Sequence, residues 1–287
     1  MNDILINPNT QNDINNFLKS DFPCLAIIGS TGSGKEYLAQ KTILSVIDKD
    51  LNKSGAAINI IDGKKAGIDN VRELQKKLYL TSATSVKVGK GVVIANFDSF
   101  GHEAQNALLK TLEEPPLDAL IIITINNENK VLPTIYSRVK KIYLRSVNLN
   151  QAISYFDPNF TEEQIAKAYK VSLGDPGLLV NLLRDAENHP LVLGINNAKD
   201  LIIMSKSQRI AEVDKITKSK DNDTIANLLD AMMRIFSASH AAAIDKNANN
   251  TFIKQSYFRL SKINQANKDL QTGLSKKLIL TDLFMNI

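Results

Sequence analysis

The chain has 287 residues, with 35 Lys and Arg against 30 Asp and Glu, and 44% of it is hydrophobic. That length suits two domains of ordinary size or three small ones, and the apolar share excludes a disordered chain. A single cysteine, Cys24, excludes an internal disulfide framework and a cysteine-cluster zinc site. The longest apolar runs, such as Leu120–Ile123, are strand length, and Met1-Asn2-Asp3 lacks the basic and apolar stretch of a signal peptide. The expectation is a cytoplasmic protein with no membrane segment. The net charge of +5 permits a polyanionic partner without demanding one.

In chain order, Leu25–Ile28 is a short apolar run that ends in a glycine-rich turn. Ile58–Ile61, Val92–Ile94, Ile121–Ile123 and Val139–Tyr143 are further strand candidates. Helical patterns lie between them at Tyr37–Ile47, Ile68–Leu78 and Glu103–Leu112. Uninterrupted apolar strands separated by helices predict an α/β fold: a five-stranded parallel sheet covered on both faces. Within the third helix, Ala104, Ala107, Leu108 and Leu112 form a stripe suited to packing on that sheet, and Pro115-Pro116 stops it.

Beyond residue 147 the pattern is helical. Thr161-Glu162-Glu163-Gln164 is a capping box, and the helix it opens is expected to run to a left-handed cap at Gly174, with Pro176 behind it. Past Pro190 no strand pattern remains. Ile225, Leu228, Leu229, Met232 and Ile235 recur at helical spacing, as do Phe252, Tyr257, Leu260 and Ile263, and both stripes read as helix-bundle core. Charge changes along with pattern. Residues 1–147 carry 18 basic and 15 acidic side chains, 148–190 carry 3 and 6, and 191–287 carry 14 and 9. Three domains are expected: an α/β core over 1–147, a small helical domain over 148–190 and an all-α domain over 191–287.

Gly29-Ser30-Thr31-Gly32-Ser33-Gly34-Lys35 follows the first strand and opens a helix, the context of a phosphate-binding P-loop. Gly29, Gly32, Ser33 and Gly34 let backbone amides turn toward a phosphate, and Lys35 supplies a point charge. The next position needs a hydroxyl to ligate magnesium, and Glu36 stands there instead. After Val92–Ile94 the chain reads Ala95-Asn96, where a hydrolysing enzyme needs a metal-holding carboxylate. Asp98 lies beyond that position and reads as a surface residue. Two parts of the hydrolytic machinery are therefore missing, and nucleotide binding is expected to be weak or without turnover.

Asn106-Ala107-Leu108-Leu109-Lys110-Thr111-Leu112-Glu113-Glu114-Pro115-Pro116 and Leu132-Pro133-Thr134-Ile135-Tyr136-Ser137-Arg138 resemble the signatures of AAA+ clamp-loader subunits. In the second, Val139 stands where that family has cysteine. Ile68–Leu74 matches the helix after the family's second strand, and the tail from Lys276 to Leu283 is similar, more weakly, to its last collar helix. The clear likeness covers about residues 20–185. The missing catalytic groups point to the delta-prime type of the bacterial DNA polymerase III clamp loader, a type that does not hydrolyse ATP.

The resemblance implies an AAA+ P-loop domain, a helical lid and an oligomerising collar. It implies a subunit that completes a hetero-oligomeric ring with other clamp-loader subunits on primer-template DNA, beside the sliding clamp. It makes Arg138 a finger toward the ATP of an adjacent subunit; by position alone Arg138 reads as a surface arginine paired with a local carboxylate. It makes Arg72, and more weakly Lys64 and Lys65, contacts to the DNA backbone, against the equal alternative of a solvated helix face. Glu113-Glu114 read either as a solvated helix end or as a subunit contact.

No cofactor is required on this reading, and ATP or ADP bound without hydrolysis is compatible with it. The stretch Lys49–Asn59 lacks the cysteines with which relatives bind zinc, so no zinc is expected. The lid reads Gly174-Asp175-Pro176-Gly177, without the family's basic residue. His102, His189 and His240 show no ligand spacing and read as surface or packing residues. The alternatives are an active P-loop ATPase or small-molecule kinase, and an independent DNA-binding AAA+ module such as a helicase loader.

Overall fold

The computed structural model describes residues 4–47, 58–79, 89–156, 159–184, 190–218, 222–245 and 249–287. Most of the stretch read as lacking zinc ligands, and His189, lie outside these residues. The chain divides into two compact units: Met1–Gln151 with Asp175–Gly177, and Ala152–Gly174 with Leu178–Ile287.

The first unit is built on five parallel strands, β1 (Cys24–Ile28), β2 (Ile58–Asp62), β3 (Lys90–Ala95), β4 (Ala119–Ile125) and β5 (Lys140–Tyr143), in the order β2-β3-β4-β1-β5. Every candidate strand of the sequence is present, in the five-stranded parallel α/β sheet expected. β1, β3 and β4 are apolar along nearly their whole length because both of their faces are covered. Ala26, Ile28, Val92, Ile94, Ile121 and Ile123 point to one face. There they meet Val71, Leu74 and Leu78 of α3 (Ile68–Tyr79) and Ala104, Leu108 and Leu112 of α4 (His102–Glu113). The intervening Leu25, Ile27, Val93, Leu120 and Ile122 point to the other face. They pack on Ile14 and Phe17 of α1 (Pro8–Lys19) and on Leu38, Ala39 and Ile43 of α2 (Lys35–Leu44). This alternation is the two-residue period of a strand seen in packing. The stripe read on the third predicted helix does bury against the sheet.

One feature of this unit departs from expectation. α1, which was not anticipated, supplies much of one face; its mean hydropathy is low and its apolar stripe narrow. α5 is a single turn, Pro133–Tyr136, that starts on proline, where a missing N–H costs nothing.

The second unit holds α7 (Glu162–Ser172), α9 (Pro190–Ile203), α10 (Lys206–Lys218), α11 (Asn222–Asp245), α12 (Asn250–Gln271) and α13 (Lys276–Asn286). Two helices, α6 (Leu149–Phe156) and α8 (Pro176–Leu183), begin in the first unit and end in the second. The capping box at α7 is present in both directions: the Thr161 hydroxyl accepts from the Gln164 amide, and the Gln164 side chain accepts from the Thr161 amide. The left-handed cap falls on Leu173, one residue before Gly174, which is also left-handed. Glycine suits the second of these positions, and the orphan carbonyl of Tyr169 is met by the Leu173 amide.

The core of the second unit gathers Leu191, Ile195 and Ala198 of α9, Ile225, Leu228, Leu229 and Met232 of α11, Ile263 of α12, and Leu280, Leu283 and Phe284 of α13. The α11 stripe is core, as read. The α12 stripe is not: Phe252 and Tyr257 are exposed, Leu260 is partly buried, and only Ile263 is fully buried. Helical spacing places residues on one face but does not say whether that face is covered. No described helix is long and apolar enough to cross a membrane.

Candidate functional site

The glycine-rich loop Gly29–Lys35 sits at the C-terminal end of β1, near the ends of β3 and β4, the edge of a parallel sheet where ligands commonly bind. Gly32 and Gly34 both take positive φ, 76° and 92°, which lets the loop curl before α2 begins. Ser33 is buried, and its hydroxyl donates to the Ser30 carbonyl at 2.7 Å. Lys35 is only 5% exposed. Its ammonium donates to the Ser30 carbonyl and, at 2.9 Å, to the side-chain oxygen of Asn126 just past β4. Burial pushes the Lys35 amine down to about 8, against the opposing pull of Asp98, Asp175 and Glu36. The lysine of the loop is thus folded back onto its own protein.

The ends of the neighbouring strands form a network of amides and carboxylates. Asn96, in a left-handed conformation directly after β3, donates its side-chain N–H groups to Glu36 and to Asp62, each at 3.0 Å. Asn96 Oδ1 accepts from Asn126 Nδ2 at 3.0 Å, and the Asn96 backbone N–H donates to the Thr124 hydroxyl at 3.0 Å.

Asp98 is buried, contrary to its reading as a surface residue. One carboxylate oxygen accepts the backbone N–H of Asn126 at 3.0 Å and the other that of Asn127 at 3.1 Å. Those two amides explain the burial, since a carboxylate can leave water when backbone donors replace its hydration. Asp98 holds the turn after β4, with each of its oxygens engaged by a backbone amide. Among the described residues no group of three His, Cys, Asp or Glu side chains has metal-binding geometry.

Two members of this network went unread in the sequence, Asn126 and Asp62. The only signal for Asn126 was a polar pair, Asn126-Asn127, closing an otherwise apolar strand at the ligand-binding edge.

Asp175 also reaches the loop. The Ser30 hydroxyl lies 3.0 and 2.9 Å from its two carboxylate oxygens. The Gly177 amide donates to the Ser33 carbonyl at 3.1 Å. A nucleotide bound with magnesium does not fit these groups as they stand. The lysine is engaged, a carboxylate occupies the loop's first hydroxyl, and an asparagine stands where the metal needs an anion.

Of the other candidates, Lys64 joins this network through its backbone N–H, which donates to Asp62 at 3.0 Å. Arg138 follows α5 and is 26% exposed. Its Nη1 donates to the Thr134 carbonyl at 2.8 Å and to the Ser137 hydroxyl at 3.0 Å, while Nη2 reaches Glu113 at 3.2 Å. Its Nε is buried without a partner. Glu113, left open in the sequence between a solvated end and a contact, is thus the local carboxylate of Arg138. Arg72 lies exposed in the second turn of α3 and pairs loosely with Asp69 at 3.6 Å; Lys64 and Lys65 are exposed in the preceding turn. His102 is exposed, and a ring nitrogen of His240 lies 2.6 Å from the Ser256 hydroxyl, a packing contact between α11 and α12.

The family model of the DNA polymerase III delta subunit matches residues 41–148. DNA polymerase III subunit delta' of Escherichia coli is 31% identical over 120 residues, which cover 41% of this chain and 35% of that protein. Subunit gamma of DNA polymerase III from Buchnera aphidicola is 25% identical over 297 residues, covering 86% and 80% of the two chains. A solved gamma-subunit-related protein from Thermotoga maritima aligns with a TM-score of 0.48 at 17% identity, covering 96% of this chain and 97% of that one. The stretch matched to the Escherichia coli relative is about a third of that protein's length. The chain is similar to bacterial clamp-loader subunits, and both segments that carried the likeness, 106–116 and 132–138, fall inside the family match.

Proposed function

We propose that this chain, similar over residues 41–148 to the DNA polymerase III delta family, is a non-hydrolysing subunit of a sliding-clamp loader. It completes a ring of other clamp-loader subunits and presents Arg138 to the nucleotide of a neighbour. Asn96 is the observation that carries the non-hydrolysing half. It stands at the end of β3 in place of a carboxylate, and its amide joins Glu36 to Asp62 where a magnesium ion would need free anions. The reading is supported by Glu36, engaged by the Asn96 amide, and by Asp98, which accepts two backbone amides.

Arg138 supports the second half. Bonds to Thr134 and Ser137 fix one guanidinium nitrogen on a rigid turn. The remaining pair with half-exposed Glu113 is of the kind worth about 0–1 kcal/mol, so a phosphate from a partner can displace it at small cost. A guanidinium held this way can neutralise charge that develops during transfer of a neighbour's phosphoryl group.

Primer-template DNA is the proposed polyanion. Arg72, Lys64 and Lys65 are exposed around the first turns of α3 and offer sequence-independent phosphate contacts.

The test uses the complex reconstituted with its native partners. Arg138→Ala should leave the chain folded and incorporated while slowing ATP turnover of the ring by at least about tenfold, a fraction of what such arginines supply. Unchanged turnover removes the finger. Steady hydrolysis at ~1 s⁻¹ by the purified chain alone, a rate typical of phosphoryl-transfer enzymes, removes the non-hydrolysing reading.

A further inference from the structure

The loop keeps the backbone of a phosphate cradle, yet the chain presses its own residues into it. Asp175 approaches Ser30 with both carboxylate oxygens, at 3.0 and 2.9 Å. Two residues on, the Gly177 amide donates to the Ser33 carbonyl. At Gly177 the backbone lies so close that a Cβ would stand 2.5 Å from both the Gly32 carbonyl oxygen and the Gly34 amide nitrogen, and 2.7 Å from the Ser33 carbonyl carbon. No side chain fits there, so only glycine allows this approach. A Cβ on Gly34 would in turn meet the Gly177 Cα at 3.3 Å. Asp175–Gly177 cluster with the phosphate-loop unit and not with the helices that follow them.

We propose that Asp175–Gly177 is a built-in clasp that keeps polyphosphate out of the loop, with the Asp175 carboxylate standing where a bound phosphate's charge would otherwise lie. Three features of the geometry agree. The carboxylate is an anion that accepts from a phosphate-loop hydroxyl, as a phosphate oxygen would. It adds negative charge beside Lys35, whose ammonium is already turned to Ser30 and Asn126. The closely fitted Gly177 holds the backbone of the segment against the loop. A nucleoside triphosphate entering this loop meets a like charge seated on the loop's own hydroxyl. The clasp gives the unit the closure that a bound nucleotide supplies elsewhere, with no dependence on nucleotide concentration.

The proposal rests on residues 29–35 being a phosphate cradle and not on membership of a ring, so the isolated full chain tests it. Binding of a fluorescent ADP analogue and of inorganic pyrophosphate would be titrated against wild type, Asp175→Ala, Asp175→Asn and Gly177→Ala. Asp175→Ala is expected to bind at least about tenfold more tightly than wild type, equivalent to about 1.4 kcal/mol. Asp175→Asn, which keeps a hydrogen-bond acceptor but loses the charge, should fall between the two.

Adding Lys35→Ala to Asp175→Ala should abolish the gain, which shows that the new binding is in the loop. Gly177→Ala should both lower the melting temperature and admit the analogue. Should Gly177→Ala not fold, the two Asp175 variants still decide. Wild-type affinity equal to or above that of Asp175→Ala overturns the clasp, as does a gain that survives Lys35→Ala. Turnover of the assembled ring plays no part in these readings, so the clasp and the ring role fail separately.

Discussion

The side-chain amide of Asn96 and the carboxylate of Glu36 lie 3.0 Å apart, and the same amide nitrogen donates to Asp62 at 3.0 Å. One neutral donor thus bridges two acids at the sheet edge where a hydrolysing P-loop protein concentrates anions around a metal. Restoring the acid should be costly. In Asn96→Asp, both donated hydrogen bonds become contacts between like charges, and an unfavourable network replaces a satisfied one. A loss of about 1–3 kcal/mol is expected near neutral pH. It should shrink on acidification as the introduced carboxyl takes up a proton, because burial beside two acids raises its pKa in the folded state. Urea denaturation at pH 7.5 and pH 5 reads both effects; a variant as stable as wild type at pH 7.5 contradicts the bridging role.

Lys35 makes stability depend on alkaline pH. Its amine is lowered from 10.5 to about 8 in the folded chain, mainly by burial. Between those values the unfolded chain binds the proton that the folded chain has released, so stability attributable to this group rises with pH across the window. Relative to Lys35→Met, wild type should gain up to about 3 kcal/mol between pH 8 and pH 10.5, an upper figure for a shift of this size. Parallel pH profiles for the two proteins would show that Lys35 titrates normally. The comparison is a difference of slopes, which cancels the other lysines and tyrosines.

Two ion pairs should respond very differently to truncation. Lys90 and Asp118 meet at 3.6 Å with side chains only 14% and 6% exposed, and the Lys90 ammonium also donates to the Leu78 carbonyl. Asp118→Ala removes the carboxylate from a buried ammonium and is expected to cost about 3–5 kcal/mol. Lys77 and Glu73, one turn apart on α3 at 2.8 Å, are more than half exposed. Glu73→Ala should cost under about 0.5 kcal/mol. Equal melting temperatures for the two variants would contradict the difference in burial.

Binding of primer-template DNA by the assembled complex should weaken in Arg72→Ala to the same extent for every sequence tested. The slope of log affinity against log salt should fall by about one, the signature of a single phosphate contact. An unchanged slope assigns Arg72 to a solvated helix face held by Asp69.

The sheet was legible because its strands are buried on both faces and so leave uninterrupted apolar runs, bounded by turns. The Thr161–Gln164 box was legible because capping is local chemistry between residues three apart. α1 was missed because only Thr10, Ile14 and Phe17 face inward from a mostly polar helix. Phe252 and Tyr257 were misread because an exposed apolar stripe and a buried one have the same spacing. Asp98 was misread because a buried carboxylate satisfied by backbone amides looks, in sequence, like any acid in a turn.

The sequence by itself determined the parallel α/β core, the glycine-rich loop Gly29–Lys35 between a strand and a helix, the absence of a hydroxyl at Glu36 and of an acid at Asn96, and the two segments resembling clamp-loader subunits. These are matters of residue type at fixed local spacing, and local spacing survives in one dimension. Tertiary structure alone decided that Glu36 is bridged through Asn96, 60 residues on, and that Ser30 meets Asp175, 145 residues on. Contacts at that separation depend on strand order and on how closely two backbones approach. The sequence records the second of these only as a glycine, Gly177, whose missing Cβ makes room for the loop.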